Sequence, residues 1–326
     1  MAKRLRFDGY DGSKPVALPD VTAPLRTDGR AYTLARVLEI ALAHIRLPLG
    51  YDAIMGLCGQ AFRTPPWPDP PSPTVAESRE AVQALSGALG GCLRVLGGEN
   101  ALPGGDVLDA VAASVDAGRP CLALGWGSVK DHWSIVAGYD RGKQRLIGHC
   151  LLDSPRSQYE SWPPTVEVLV TLTAEPKPRG PQAITDALQA GARRWSDEGA
   201  ARYRQWTREM RDLDDTPGTP HEQAVELLAD ARAAAAGFAE QVAEREREIT
   251  AAWLGRAAEH WRELVRLLEA RGVPHSLEAL MALETAADRE DWARMLDAAA
   301  DLEEEAAASV RRSTTVDYLP SEMQSW

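Results

Sequence analysis

Residues 120–155 contain the feature that most constrains the fold of this 326-residue chain. Three runs there are rich in apolar and β-branched residues and are separated by turn residues: 122–126, 133–139 and 145–152. The turn at 140–143, with the sequence DRGK, is typical of a β-hairpin. In a hairpin folded about this turn, His132 lies opposite Leu152, and Asp153 comes directly after it. The sequence therefore predicts an imidazole and a carboxylate at the open end of the hairpin, which is two thirds of a nucleophilic triad.

Helical patterns precede this hairpin, and one further strand comes after it. Helices are predicted at 32–45, where apolar residues recur at helical spacing, at 74–96 and at 106–117, and a short helix and turn is predicted at 51–62. The fourth strand is predicted at 165–172, and the proline-rich segment 64–73 is expected to be an extended surface loop. Because the helices come before an antiparallel sheet, the sequence predicts an α+β domain.

The composition changes at 175–181, which is rich in proline and is expected to be a linker. Beyond it, Ala, Glu, Arg and Leu dominate, and helical segments are predicted: 184–210, 220–271 as one long helix or two, and 276–312 as at least two. The charged run 301–305 is expected to be a solvated face. The predicted organisation is an irregular segment, an α+β domain and an all-α domain: 1–26, 27–180 and 181–326.

Charge and residue spacing argue against several classes of protein. A net charge of −12 is unfavourable for a nucleic-acid surface, and no apolar run is long enough to span a membrane. No signal peptide is recognised after the basic start MAKRLRF, so a cytoplasmic location is expected. The cysteines form no C-x-x-C pair, and the histidines lack metal-binding spacing. Neither a metal nor a cofactor is therefore predicted.

Several short motifs resemble the papain-like family of the butirosin biosynthesis protein H N-terminal domain and, more distantly, the peptidases that cut double-glycine leaders. The matching motifs are YTLARVL at 32–38, MGLCGQAFR at 55–63, AGRP at 117–120, HWSIVAGYD at 132–140 and DSP at 153–155. The likeness covers roughly residues 27–175, and GAARYRQW at 199–206 is similar to the segment after this domain in related chains. The resemblance implies a papain-like fold, with a nucleophilic cysteine opening the first helix, where the helix N-terminus lowers its pKa.

The nucleophile is where the chain departs from that family. The resemblance places a catalytic cysteine at Tyr32, or at Thr33 if the register shifts by one. Tyrosine, with a phenol pKa of about 10, is a poor acyl nucleophile near neutral pH, and threonine nucleophiles usually need a neighbouring chain-terminal amine. His132 and Asp153 stand where the family has its base and the residue that orients it. The first hypothesis is thus a non-catalytic protein that binds a small molecule or peptide, or acts as a scaffold.

Two thiols keep an enzymatic alternative open. Cys58 lies among glycines, and Cys150 is expected on the same face of the sheet as His132, two residues further in. Either could be a relocated nucleophile of an acyltransferase or amide hydrolase, and the resemblance to the butirosin family implies an acyl carrier protein or thioester as the acyl donor. The opposing interpretation is that both are small, buried apolar residues.

Other residues bear on ligand binding and assembly. Trp126 and Trp133 flank the loop before His132, and they either line a ligand cleft or pack the sheet. Gln60 is a candidate for polar contact with a ligand. A third hypothesis assigns the helical half to oligomerisation, including a homo-oligomer, or to binding a protein partner.

Overall fold

The computed structural model describes residues 15–22, 30–67, 73–126, 132–150, 159–161, 166–212, 219–270 and 285–315. The chain divides into two compact units. The sheet unit comprises Met1–Cys58 and Ser72–Ala183, and the helical unit comprises Gly59–Pro71 and Ile184–Trp326. A short segment from the first part of the sequence therefore belongs to the helical unit, which the sequence did not predict.

The sheet unit is built on one antiparallel sheet with strands of unequal length. Its strands are β1 (Val16–Ala17), β2 (Leu93–Leu102), β3 (Cys121–Leu124), β4 (Trp133–Asp140), β5 (Arg145–His149), β6 (Tyr159–Ser161) and β7 (Val166–Leu172). The order of the strands is β2-β7-β3-β4-β5-β6, and β1 pairs with the C-terminal end of β4. Every residue of β3 and β4 is buried, so these two strands form the centre of the unit.

Helices accompany this sheet: α1 (Thr33–His44), α2 (Tyr51–Leu57), α3 (Val75–Ala88) and α4 (Gly104–Asp116). The apolar side of α4, through Val107 and Val111, packs in one cluster with Val136 of β4 and Leu169 of β7. The apolar side chains of α1 lie on its buried side at helical spacing, as the sequence predicted. Helices with an antiparallel sheet confirm the predicted α+β class.

The predicted helix 74–96 is wrong in its second half. It begins as expected, with a capping box between Thr74 and Glu77, but ends at Ala88. Gly90 and Gly91 have φ values of 79° and 82°, a region that glycine adopts without strain and that stops the helix. The chain then continues as β2, which pairs along β7. The apolar residues after the two glycines belong to this strand.

The helical unit contains α5 (Pro181–Arg194), α6 (Ala200–Asp212), α7 (Thr219–Ala243), α8 (Glu248–Glu269) and α9 (Ala286–Thr315). A π-helical turn, Trp195–Gly199, joins α5 to α6, and a single 3₁₀ turn, Gln60–Phe62, comes from the early segment. The predicted segment 220–271 is two helices, and α9 fills most of the predicted 276–312, whose first part lies outside the described residues. None of the described helices combines the length and the apolar character needed to cross a bilayer.

Candidate functional site

The hairpin has the register that the turn predicts. Ile135 pairs with His149 and Val136 with Gly148, and a bulge after Val136 shifts the pairing by one residue towards the turn. His132 is half-buried. Residues 151–158, which include Leu152 and Asp153, lie outside the described residues, so the predicted His132–Asp153 pair stays a prediction.

The first turn of α1 lies against the start of β4. The hydroxyl oxygen of Thr33 accepts a hydrogen bond from the backbone amide of Trp133 at 3.1 Å. This amide comes directly after His132 in the chain, so the residue at the predicted nucleophile position is adjacent to the predicted base in space. At least one lone pair of the Thr33 hydroxyl is used to join a helix to a strand, which is a structural role for this side chain.

Tyr32 precedes Thr33 and is the N-cap residue of α1. It is 2% exposed, and its backbone amide donates to the hydroxyl of Tyr51 at 3.3 Å. The guanidinium of Arg30 lies 4.6 Å from the centre of the Tyr51 ring, and Glu39 accepts from the amide of Tyr51 at 3.0 Å. These contacts join α1 and the residues before it to the start of α2.

The two candidate thiols are both buried. Cys58 is 4% exposed at the end of α2, and its sulfur lies 3.6 Å from the carbonyl oxygen of Met55. Cys150 is 1% exposed and packs in the apolar cluster that contains Val107 and Val111 of α4. Both positions match the interpretation as small core residues.

The other two cysteines, Cys92 and Cys121, are also buried and free of disulfides. Burial raises the pKa of Cys121 to about 12 and, as the largest influence, also raises the pKa of Cys92. A thiol with a raised pKa carries little thiolate near neutral pH and is a weak nucleophile.

The tryptophans beside the loop before His132 pack in the sheet unit. Trp126 is 1% exposed, belongs to the α4 cluster, and its carbonyl accepts from the hydroxyl of Ser134 at 3.1 Å. Trp133 is 3% exposed. Of the two interpretations, sheet packing fits this burial better than the wall of an open cleft. Gln60 belongs to the helical unit, whereas His132 belongs to the sheet unit.

A charged network inside the helical unit was missed by the sequence analysis. Arg232 of α7 is 1% exposed and forms an ion pair with Glu303 of α9, which is 4% exposed. Tyr203 and Trp261 also donate to the Glu303 carboxylate, at 3.3 and 3.1 Å. Burial and the Glu303 charge raise the pKa of Tyr203 well above its usual value. The prediction that 301–305 is a solvated face is therefore wrong at Glu303, although Asp301 is exposed.

The network holds the early segment of the chain within the helical unit. Arg232 donates to the carbonyl oxygens of Ala61 and Arg63, both at 2.9 Å, and to the hydroxyl of Thr64 at 3.1 Å. Arg202 of α6 donates to the carbonyl of Thr64. Thr64 and Trp67 are 2% and 4% exposed. The prediction of a surface loop over 64–73 is thus wrong for 64–67, because irregular backbone is buried where arginines satisfy its carbonyls.

Among the side chains that the structure describes, no group of three or more histidines, cysteines and acids is arranged to hold a metal ion. Comparison with known proteins adds no assignment: no family model matches the chain, and no curated protein matches it significantly.

Proposed function

We propose that this chain is a non-catalytic papain-like protein, with a papain-like domain followed by an all-helical domain. Its former active-site region, beside His132, would bind a small molecule or peptide or present a scaffold surface. The observation that carries the proposal is the hydrogen bond from the Trp133 amide to the Thr33 hydroxyl. This bond supports the view that the N-terminus of α1 lies next to β4, the strand that follows His132, with a threonine where the family has its nucleophilic cysteine.

The chemistry of Thr33 supports loss of activity rather than a change of nucleophile. A threonine nucleophile must donate its hydroxyl proton to a base, and the hydrogen bond described for this hydroxyl joins it to the backbone amide of Trp133 and not to the imidazole of His132. Tyr32, the other residue at that position, is buried to 2% exposure. Neither side chain offers the low-pKa thiolate on which papain-like acyl transfer depends.

The alternative with a relocated thiol is less well supported. Cys150 lies in the apolar core against α4, and Cys58 lies at the end of its short helix rather than at the start. Neither position has the helix N-terminus that lowers a thiol pKa. An acyl carrier protein as partner belongs to this alternative alone.

A role for the helices in oligomerisation has no specific observation in its favour. Across the described parts of 184–315, Ile249 is the one large hydrophobic side chain that is strongly exposed, at 62%. A stable homodimer interface usually needs a larger apolar area.

The proposal is tested by restoring the thiol. In Thr33→Cys, the α1 N-terminus and His132 should activate the new cysteine, so that iodoacetamide alkylates it at about pH 6 at least ~10-fold faster than a free thiol. Adding His132→Ala should remove most of this acceleration. The four native cysteines are buried, so intact-mass measurement on the folded protein should have a low background.

Thr74→Cys provides a matched control, because Thr74 is an exposed N-cap residue of another helix, α3. The proposed site is contradicted if cysteines at positions 33 and 74 are alkylated at equal rates. It is also contradicted if His132→Ala leaves the alkylation rate at position 33 unchanged. The wild type should hydrolyse no thioester or peptide, and hydrolysis that disappears with His132→Ala contradicts the loss of catalysis. Ligands that raise the melting temperature should still bind measurably to His132→Ala.

A further inference from the structure

The helical unit contains a pocket that is separate from the His132 region. It opens between α5, the ends of α7 and α9 and the start of α8, with an empty volume of about 610 Å³ that includes the part open to solvent. Three apolar residues line its inner side, each from a different helix: Leu188, Val242 and Leu254. They are 3%, 5% and 0% exposed. This inner side suits a short, branched apolar group.

Charges of both signs stand at the same pocket. Glu246 and Arg247, consecutive residues in the connection from α7 to α8, both contribute to its lining. Among the described residues, neither side chain forms a hydrogen bond or an ion pair. A ligand could therefore meet one carboxylate and one guanidinium that no described protein group already occupies, with the apolar wall between helices nearby.

The hydroxyl oxygens at the end of α9 can act as hydrogen-bond acceptors for a ligand, as the carboxylate of Glu246 can. The hydroxyl of Ser313 donates to the carbonyl of Val310 at 2.7 Å, and the hydroxyl of Thr314 donates to the same carbonyl at 3.2 Å. Because their protons point to the backbone, these oxygens have only lone pairs left for a ligand. Acceptor oxygens and a carboxylate that line one pocket suit a ligand ammonium group, whereas the guanidinium of Arg247 suits a ligand carboxylate.

We propose that this pocket binds a free α-amino acid with a branched apolar side chain. The side chain lies against Leu188, Val242 and Leu254, the ammonium group lies towards Glu246 and the α9 hydroxyls, and the carboxylate pairs with Arg247. This site belongs to the helical unit and does not depend on the function proposed for the His132 region.

The test is calorimetric titration of the full chain with three probes that share one side chain. L-leucine carries both charged groups, 4-methylpentanoate lacks the ammonium, and 3-methylbutylamine lacks the carboxylate. Leucine should bind with a dissociation constant below about 1 mM. Each of the other two should bind about 10-fold more weakly, since each loses one charge-assisted contact. No heat from leucine at about 5 mM, or equal affinity for all three probes, overturns the proposal.

Variants in the connection from α7 to α8 test which charged group of the ligand binds Glu246 and which binds Arg247. Arg247→Gln should weaken leucine about 10-fold and leave 3-methylbutylamine unchanged, whereas Glu246→Gln should weaken leucine and leave 4-methylpentanoate unchanged. Glu244→Gln and Arg245→Gln are matched controls, because these exposed neighbours do not line the pocket. Controls that weaken leucine as much as the pocket variants overturn the assignment. Thr250→Trp should fill the pocket and abolish binding, and unchanged binding by a folded Thr250→Trp also overturns the proposal.

Discussion

The two units keep polar groups in their interiors in different ways. In the sheet unit, buried polar side chains are mostly short and bond to nearby backbone: Ser86 both donates to and accepts from Leu93, at 3.0 Å each. In the helical unit, a whole guanidinium and a whole carboxylate, Arg232 and Glu303, are buried. A sheet satisfies its own backbone through strand pairing, whereas a helical unit that encloses irregular chain must supply donors from side chains.

The enclosed segment explains why the charges are there. Gly59, Ala61, Arg63 and Thr64 present carbonyl oxygens to the helices, and arginines of α5, α6 and α7 donate to them. Glu303 then neutralises the deepest of these arginines. The buried Arg232–Glu303 pair is thus explained by the buried irregular backbone and does not by itself indicate a catalytic site.

The largest expected effect comes from removing one half of the buried ion pair. Glu303→Ala leaves the Arg232 charge buried without its partner and should lower the free energy of unfolding by about 3–5 kcal/mol. Urea titration measures the loss, and hydrogen exchange should rise in α6 to α9 but not in β3 to β5. The double variant Arg232→Met with Glu303→Leu should recover part of the loss.

The exposed ion pair between Arg262 and Glu240 is the matched control. Glu240→Ala should cost at most about 1 kcal/mol, because solvent screens such pairs. If Glu303→Ala costs no more than Glu240→Ala, the buried network does not stabilise the helical unit.

The next effect in size depends on pH. His221 of α7 is 2% exposed, its Nδ1 accepts from the indole of Trp206 at 3.4 Å, and burial lowers its pKa to about 3. The unfolded chain, with a histidine pKa of about 6.5, binds this proton more tightly than the folded one. Stability from neutral His221 is therefore present above about pH 6.5 and lost as the pH falls towards 3.

Urea midpoints of wild type and His221→Gln between about pH 4 and 6 measure this contribution. The wild-type slope should exceed that of the variant by up to about 1.4 kcal/mol per pH unit. Glutamine keeps an acceptor for Trp206 but has no titrating group in this range. Parallel stability curves for the two proteins would show that His221 takes up its proton without loss of folding.

The smallest effect concerns the sheet unit. Thr33→Val replaces the hydroxyl by a methyl group of similar size and removes the acceptor of the Trp133 amide. It should lower the unfolding free energy by about 1–2 kcal/mol, and exchange of the Trp133 amide should accelerate. Thr33→Ser, which keeps the oxygen, should cost clearly less. A larger loss for serine than for valine would mean that packing of the γ-methyl group, not the hydrogen bond, joins α1 to β4.

The sheet unit was more predictable from sequence than the helical unit, for physical reasons. Strands β3, β4, β5 and β7 were found because buried strands are apolar and β-branched, and the turn then set the hairpin register. Strand β2 was missed because its apolar residues also suit a helix, and only the two glycines mark the change.

In the helical unit, the sequence pattern of Ala, Glu and Arg did not show which charged side chains are buried and which are exposed to solvent. Glu303 differs from exposed Glu304 only in its angle around α9, and its partner Arg232 lies in another helix. For the candidate site, the hairpin turn placed His132, but no local signal could show that Thr33 bonds to Trp133, because the two are 100 residues apart. Only the burial of the cysteines in the structure favours their interpretation as core residues over that as nucleophiles.

The place of the early segment in the helical unit has a consequence for synthesis. Thr64 leaves the ribosome 168 residues before its partner Arg232. At about 5–20 residues per second, the segment waits roughly 8–34 s for the helix that satisfies its carbonyls. The second part of the sheet unit, Ser72–Ala183, is made in that interval, ahead of α7. During synthesis, Phe62 and Trp67 must therefore stay exposed or in temporary contacts until the helices of the helical unit are made.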